Sequence, residues 1–186
     1  MTREELEHAI RAACDVVGDG ELWVFGSQSI LGQHPDAPEA LRMSIEVDVD
    51  PKNRPELVDQ IDGALGEGSQ FHATYGFYVH GVSIATALLP RGWQGRTKKV
   101  QSPNTADATG YCLEAHDLAA SKLAAFRERD REFVRILLRE RLVDPNRLVR
   151  LINLLPLTDD QRDRLRQWVD GTTREITLAK LTKRSK

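Results

Sequence analysis

Two short apolar segments carry polar interruptions that restrict what they can become. Leu22-Trp23-Val24-Phe25 runs straight into Gly26-Ser27, and after eighteen residues comes Glu46-Val47-Asp48, within Ile45-Glu46-Val47-Asp48-Val49, which alternates apolar and acidic positions. A strand that closes on Gly-Ser can bring its backbone N–H groups close to a phosphate, because Gly has no side chain in the way. Residues two apart on a strand share a face, so Glu46 and Asp48 project side by side next to that turn. Two carboxylates so close repel each other, and one takes up a proton unless a cation lies between them. Mg²⁺ carrying a triphosphate suits the place, since it binds one or two carboxylates and completes its shell with water and phosphate oxygens. Asp50 alternates onto the same face and is a candidate third ligand or outer group.

At 186 residues the chain is one large domain or two small ones, and 40% apolar with 29% charged residues is ordinary for a globular protein. Cys14 and Cys112 form neither a disulfide framework nor a metal spacing and read as buried free thiols. The acidic start has no apolar stretch of the signal-peptide kind, and no apolar run approaches membrane-spanning length. A cytoplasmic protein without a membrane partner is expected. Charge is unevenly spread: residues 1–70 hold 5 Lys/Arg against 15 Asp/Glu, a balance of −10, and the remainder is at +8. Such polarity fits either a polyanion bound by the basic part or a solvated, salt-bridged surface. His8, His34, His72, His80 and His116 show no pairing that suggests zinc, and His116 reads as a helix-start residue.

Along the chain, Thr2 with Glu5 reads as a capping box, and Leu6, Ala9, Ile10, Ala13 and Val17 recur at helical spacing until Gly18. Residues 22–25 form a short buried strand, a helix starts over 27–31, and a Pro-bearing loop covers 32–38. The acid-bearing strand spans 45–49, and a helix with Pro in its first turn spans 55–65. Strands are expected at 75–80 and 83–88 about a turn at Gly81, the second without an acid of its own. Arg91-Gly92-Trp93-Gln94-Gly95-Arg96-Thr97-Lys98-Lys99 is a basic loop with one aromatic residue, and Val100 and residues 111–113 are the last strand pieces. Residues 116–141 contain no Gly or Pro and suit helical packing. Further helices follow over 144–155 and 158–169, with Asp144 and Thr158 as N-caps, and the basic tail, 180–186, is expected to fray. The class is therefore α/β (α+β): an α/β domain over 1–113 and a helical domain over 114–186.

The second chemistry-bearing cluster lies in the helical part. Lys122 is embedded in Leu118-Ala119-Ala120-Ser121-Lys122-Leu123-Ala124-Ala125-Phe126, where its stem can lie over alanines or its ammonium can be aimed at a triphosphate. Asp130 follows eight residues on, a little over two helical turns, and shares a side with Lys122 if the helix is unbroken. Set among Arg127, Arg129 and Arg131, Asp130 suits a structural ion-pair hub as well as a functional role.

Gly26-Ser27, Glu46-Val47-Asp48, His116-Asp117-Leu118-Ala119-Ala120-Ser121-Lys122-Leu123-Ala124 and Arg129-Asp130 stand in one order over residues 22–134. In that order the chain resembles the polymerase-β-type nucleotidyltransferases, and among them the AbiEii/MenT toxins of type IV toxin–antitoxin systems. The stretch from Gly76 through Gly81-Val82 to Trp93 also has the look of small bacterial proteins of this group. The resemblance implies a minimal nucleotidyltransferase mixed sheet with flanking helices and a helical C-terminal half that completes the active site. It implies Mg²⁺-dependent transfer of a nucleotide from an NTP, in the better-known members to the 3′ end of tRNA. Carried over by motif, Gly26 and Ser27 bind triphosphate, Glu46 and Asp48 bind metal, Lys122 contacts phosphates and Asp130 is the acid of the helical half. Asp48, Lys122 and Asp130 are thus the catalytic candidates. Glu46 stands where the family usually has Asp, and the Pro-bearing loop lengthens the gap before it.

The leading expectation is transfer of an NMP to an RNA end, with tRNA the acceptor and a cognate antitoxin as partner. Arg91, Arg96, Lys98 and Lys99, beside Trp93, are the candidate RNA-binding residues, with the Arg-rich stretch 127–141 in support. Two other readings stand beside it. One keeps the chemistry and moves the nucleotide to a protein or small-molecule hydroxyl. The other, suggested by Glu46, is a non-catalytic nucleotide-binding or partner-binding module.

Overall fold

The computed structural model describes residues 1–184. They divide into two compact units, Met1–Ala87 with Trp93–Glu114, and Leu88–Gly92 with the chain from Ala115 onward. The first is a mixed sheet with flanking helices and the second is helical, the α/β class that the alternating patterns indicate.

In the first unit, helix α1 (Arg3–Val17) begins with the expected capping box: Thr2 Oγ1 accepts from the Glu5 N–H, and Glu5 Oε2 accepts from the Thr2 N–H. Its Leu6, Ala9, Ile10, Ala13 and Val17 are buried as one face. Five strands follow, β1 (Glu21–Phe25), β2 (Glu46–Pro51), β3 (Tyr78–Gly81), β4 (Lys98–Val100) and β5 (Thr109–Cys112), with helices α2 (Val58–Leu65) and α3 (Gln70–Tyr75) between β2 and β3. The sheet order is β3-β2-β1-β5-β4. β1 runs antiparallel to β2 and parallel to β5, β2 runs parallel to β3, and β4 is antiparallel to β5.

Register sorts the side chains. Val24 lies opposite Val49 on β2, while Phe25 lies opposite Asp48 and Trp23 opposite Asp50. Leu22, Val24, Val47, Val49 and Val79 are fully buried, and α1 and α2 pack against this part of the sheet. Burying five such side chains contributes on the order of 10 kcal/mol of hydrophobic free energy before entropy is counted. The alternate positions carry Trp23, Glu46, Asp48 and Asp50, so the pleat separates core from chemistry.

Three local expectations are corrected. The strand expected over 75–80 starts only at Tyr78, because Ser69 Oγ accepts from the His72 N–H and caps α3, which runs to Tyr75 and stops at Gly76. Residues 83–88 do not form a strand. A 3₁₀ turn, Ile84–Thr86, takes their place: Ser83 Oγ accepts from the Ala85 N–H, and the Ile84 N–H donates to Asp50 Oδ2 at 2.8 Å. Side chains thereby satisfy amides that a ladder would otherwise need. The expected helix after Gly26 is a 3₁₀ segment, Ser27–Gly32, and the loop over 91–99 contains a 3₁₀ turn, Trp93–Arg96, before β4.

The second unit holds α4 (Ala115–Ala125), α5 (Glu128–Arg139), α6 (Pro145–Ile152) and α7 (Asp159–Arg184). Residues 116–141, which suit helical packing, form two helices: the chain is divided at Phe126, whose φ of 54° is left-handed, and at extended Arg127. Phe126 is engaged from two sides, edge-on to Trp168 and beneath the Arg131 guanidinium, and these contacts offset the backbone strain there. Asp144 caps α6 by accepting from the Arg147 N–H at 2.7 Å. His116 Nε2 accepts from the Asp144 N–H at 2.9 Å, which gives this buried histidine a structural role at the start of α4. Thr158 and Gln161 form a reciprocal cap on α7. Helix α7 continues to Arg184, through most of the tail expected to fray; residues 185 and 186 of that tail lie outside the described residues.

Candidate active site

The site in the first unit is built from the ends of three strands. β1 closes on Gly26, with φ 65° and ψ −167°, a combination essentially restricted to glycine. Ser29 holds the turn, its Oγ–H and its N–H both donating to the Gly26 carbonyl. Asp48 lies opposite Phe25, and its Oδ2 fills the space a Cβ on Gly26 would need. Gly26 therefore does two things: it adopts a backbone that other residues avoid, and it lets the Asp48 carboxylate press against the main chain.

β3 completes the site. In its parallel register, Glu46 lies opposite Tyr78 and Asp48 opposite His80. His80 Nδ1 sits 3.0 Å from Asp48 Oδ1 and 3.2 Å from Glu46 Oε1. One ligand atom from each of these three side chains lies within 4.8 Å of the others. All three are half-buried, the Asp48 side chain most of all at 22% exposure. Burial, with the charges of Glu46, Glu67 and Asp48, pushes the Tyr78 phenol up, so it stays protonated beside the carboxylates.

The two acids predicted to share a face do so. Asp50 does not join them: it is 3% exposed, its Oδ2 accepts from Ile84, and its Oδ1 has no protein partner. Burial pushes its carboxyl up, against the pull of the Ile84 N–H. Its work is to hold the 83–86 turn. His80 is the residue sequence reasoning missed. Its signal was available: Tyr78-Val79-His80 repeats the polar-apolar-polar alternation of Glu46-Val47-Asp48, and parallel pairing of the two puts His80 beside Asp48.

In the second unit Lys122 and Asp130 meet despite the helix break, with Nζ 3.4 Å from Oδ1. Arg127 Nε lies 2.7 Å from the other oxygen, Oδ2, and Asp130 is 2% exposed. The Lys122 ammonium also lies 4.6 Å from the Phe133 ring centroid. Asp130 thus pairs with two cations, Lys122 and Arg127.

The proposed RNA-binding residues belong to several elements. Lys98 and Lys99 lie on the edge strand β4 and alternate across it, opposite Cys112 and Tyr111 respectively. Lysines on an edge strand also discourage strand addition by another chain. Arg96 ends the preceding 3₁₀ turn, and Arg91 belongs to the other unit, its N–H donating to the Leu154 carbonyl. Trp93 packs edge-on against Trp23, centroids 4.9 Å apart, and serves as a cover for the sheet.

A glycine turn after the first strand, pressed against one of two acids on its antiparallel neighbour within a mixed sheet, is an arrangement suited to holding a metal-bound nucleoside triphosphate. The donor set of two carboxylates and one imidazole fits a divalent cation. Residues 4–170 match the family described as "Nucleotidyltransferase of unknown function (DUF6036)", and the chain belongs to that family. No curated protein and no solved structure matches it. Among the described residues no helix is long and apolar enough to cross a membrane.

Proposed function

We propose that this chain is a Mg²⁺-dependent nucleotidyltransferase that moves an NMP from an NTP to an RNA 3′ end, with tRNA as acceptor, and that it serves as the toxin of a toxin–antitoxin pair. The observation that carries the chemistry is the seating of Asp48 against Gly26 with Glu46 alongside. The RNA acceptor and toxin role rest on the resemblance to AbiEii/MenT proteins and on the basic balance after residue 70.

In the reaction an acceptor hydroxyl oxygen bonds to the α-phosphorus, the bond from that phosphorus to the bridging β-phosphate oxygen breaks, and pyrophosphate leaves with that electron pair. The hydroxyl proton passes to solvent or to a neighbouring carboxylate. Glu46 and Asp48 would hold the metal, which supplies charge neutralisation at the phosphate oxygens. The Gly26-Ser27 turn offers backbone N–H groups to the triphosphate. Lys122 is assigned a phosphate contact, and Asp130 positions its ammonium. Arg91, Arg96, Lys98 and Lys99 are assigned to RNA phosphates, so RNA affinity should fall steeply with added salt.

The test is incubation with each α-labelled NTP and Mg²⁺ in the presence of total RNA, and separately of cell lysate protein. Label is expected in RNA of tRNA size and absent with Asp48→Ala. Label in protein would move the acceptor to a protein hydroxyl. Label in neither, together with growth arrest that survives Asp48→Ala and Lys122→Ala, would leave a nucleotide-binding module.

A further inference from the structure

We infer that His80 is the third protein ligand of the metal at Glu46 and Asp48, and that its nitrogen makes the centre prefer first-row transition cations, even Mn²⁺ at the weak end of that series, to Mg²⁺. The inference rests on the reading of Glu46 and Asp48 as metal ligands and adds a donor and a selectivity to it.

Geometry is the first ground. Adjacent ligands on an octahedral ion with bonds near 2.1–2.2 Å are about 3.0–3.1 Å apart. His80 Nδ1 stands 3.0 Å from Asp48 Oδ1 and 3.2 Å from Glu46 Oε1, so the imidazole nitrogen has the spacing to both carboxylates that neighbouring ligands of one ion would have. The placement is imposed by the backbone, since parallel pairing of β2 and β3 puts His80 beside Asp48 on the face that bears Glu46. The three side chains would together hold the ion, and phosphate oxygens and water would complete its shell.

Ligand chemistry is the second ground. Mg²⁺ takes oxygen donors, sheds water reluctantly and uses one or two carboxylates. Imidazole suits transition cations, and affinity for a mixed nitrogen and oxygen set rises along the first-row series. Mn²⁺ is six-coordinate and accepts phosphate oxygens as Mg²⁺ does. A purely structural histidine is the competing account: with one proton on Nδ1, His80 could instead donate to either carboxylate and simply keep the acids apart.

Titration of the full chain with Mn²⁺ alone, followed by Mn²⁺ paramagnetic resonance, and with Mg²⁺ alone by calorimetry, separates these. Wild-type protein should bind Mn²⁺ at least about tenfold more tightly than Mg²⁺, and the bound Mn²⁺ should show nitrogen coupling by electron spin-echo modulation. His80→Ala should lose the nitrogen coupling and about tenfold in Mn²⁺ affinity, with Mg²⁺ affinity nearly unchanged. His80→Asp restores a third donor as oxygen and should shift the preference toward Mg²⁺. The inference is overturned by Mn²⁺ affinity and spectra that His80→Ala leaves unchanged, or by wild-type protein without a Mn²⁺ preference. Either result leaves the transferase reading standing if Asp48→Ala abolishes nucleotide transfer. Should Asp48→Ala alter neither metal binding nor transfer, it is the transferase reading that fails.

Discussion

Asp48 and Gly26 are locked together: the carboxylate of one occupies the volume that any side chain on the other would require. Gly26→Ala therefore meets two penalties, a φ of 65° with an extended ψ and a collision with Oδ2. A loss of about 1–3 kcal/mol in unfolding free energy is expected, read from denaturant midpoints. The collision part should be partly relieved in the double variant with Asp48→Ala. A double-mutant cycle that shows strict additivity would contradict the contact.

Lys122 and Asp130 should respond unequally to truncation. Asp130→Ala leaves the ammonium of Lys122, whose side chain is 13% exposed, without the carboxylate it faces, and is expected to cost about 2–4 kcal/mol. Lys122→Ala leaves Asp130 with Arg127 at 2.7 Å and should cost less, about 1–2 kcal/mol. Equilibrium unfolding of the two variants checks the order. Lys122→Ala should nonetheless abolish nucleotide transfer while remaining folded.

Glu21 supplies the pH dependence. The Tyr111 hydroxyl donates to its Oε1 at 2.6 Å, and Lys52 and Asn53 donate to Oε2. These bonds, Tyr111 first, hold its carboxyl down at about 2 from an ordinary 4.5. A depressed carboxylate stabilises the fold above its unfolded value and loses that contribution as pH falls through the folded value. Glu21→Gln should thus be less stable than wild type at pH 7, by about 1 kcal/mol given the exposure of the side chain. The difference should shrink as pH drops from 4.5 toward 2. Thermal melts across that range provide the measurement, and a gap that widens on acidification would be the wrong sign.

Both thiols should be silent in the native protein. Cys14 and Cys112 are buried, and burial pushes each thiol up to about 12, so almost no thiolate exists at neutral pH. Ellman's reagent is expected to find no reactive thiol in native buffer and both in denaturant.

Much of this arrangement could be read from residue order. Period-two alternation at Glu46-Val47-Asp48 placed both acids on one face, and Gly26-Ser27 marked the turn beside them, because those properties are local to a strand and its end. Thr2, Asp144 and Thr158 were legible as caps for the same reason. What escaped was set by distant partners. Residues 83–88 have strand composition, yet Asp50, far back in the chain, takes the Ile84 amide and turns them aside. Phe126 gives no sign of a helix break until Trp168 and Arg131 are brought against it. His80 acquires meaning only when β3 pairs with β2, a register that no nearby residue announces.

Because β3 is the outermost strand on its side of the sheet, His80 hangs on a ladder with a neighbour on one side only. Sliding that margin by a single position would rotate Val79 into the carboxylates and His80 out of reach. Gly81 guards against this at the end of β3, where its bare Cα abuts the Val58 carbonyl of α2. A methyl group at position 81, directed at α2 rather than at the donors, would thus act as a misalignment lever, spoiling ligand geometry through the strand while leaving the acids themselves untouched.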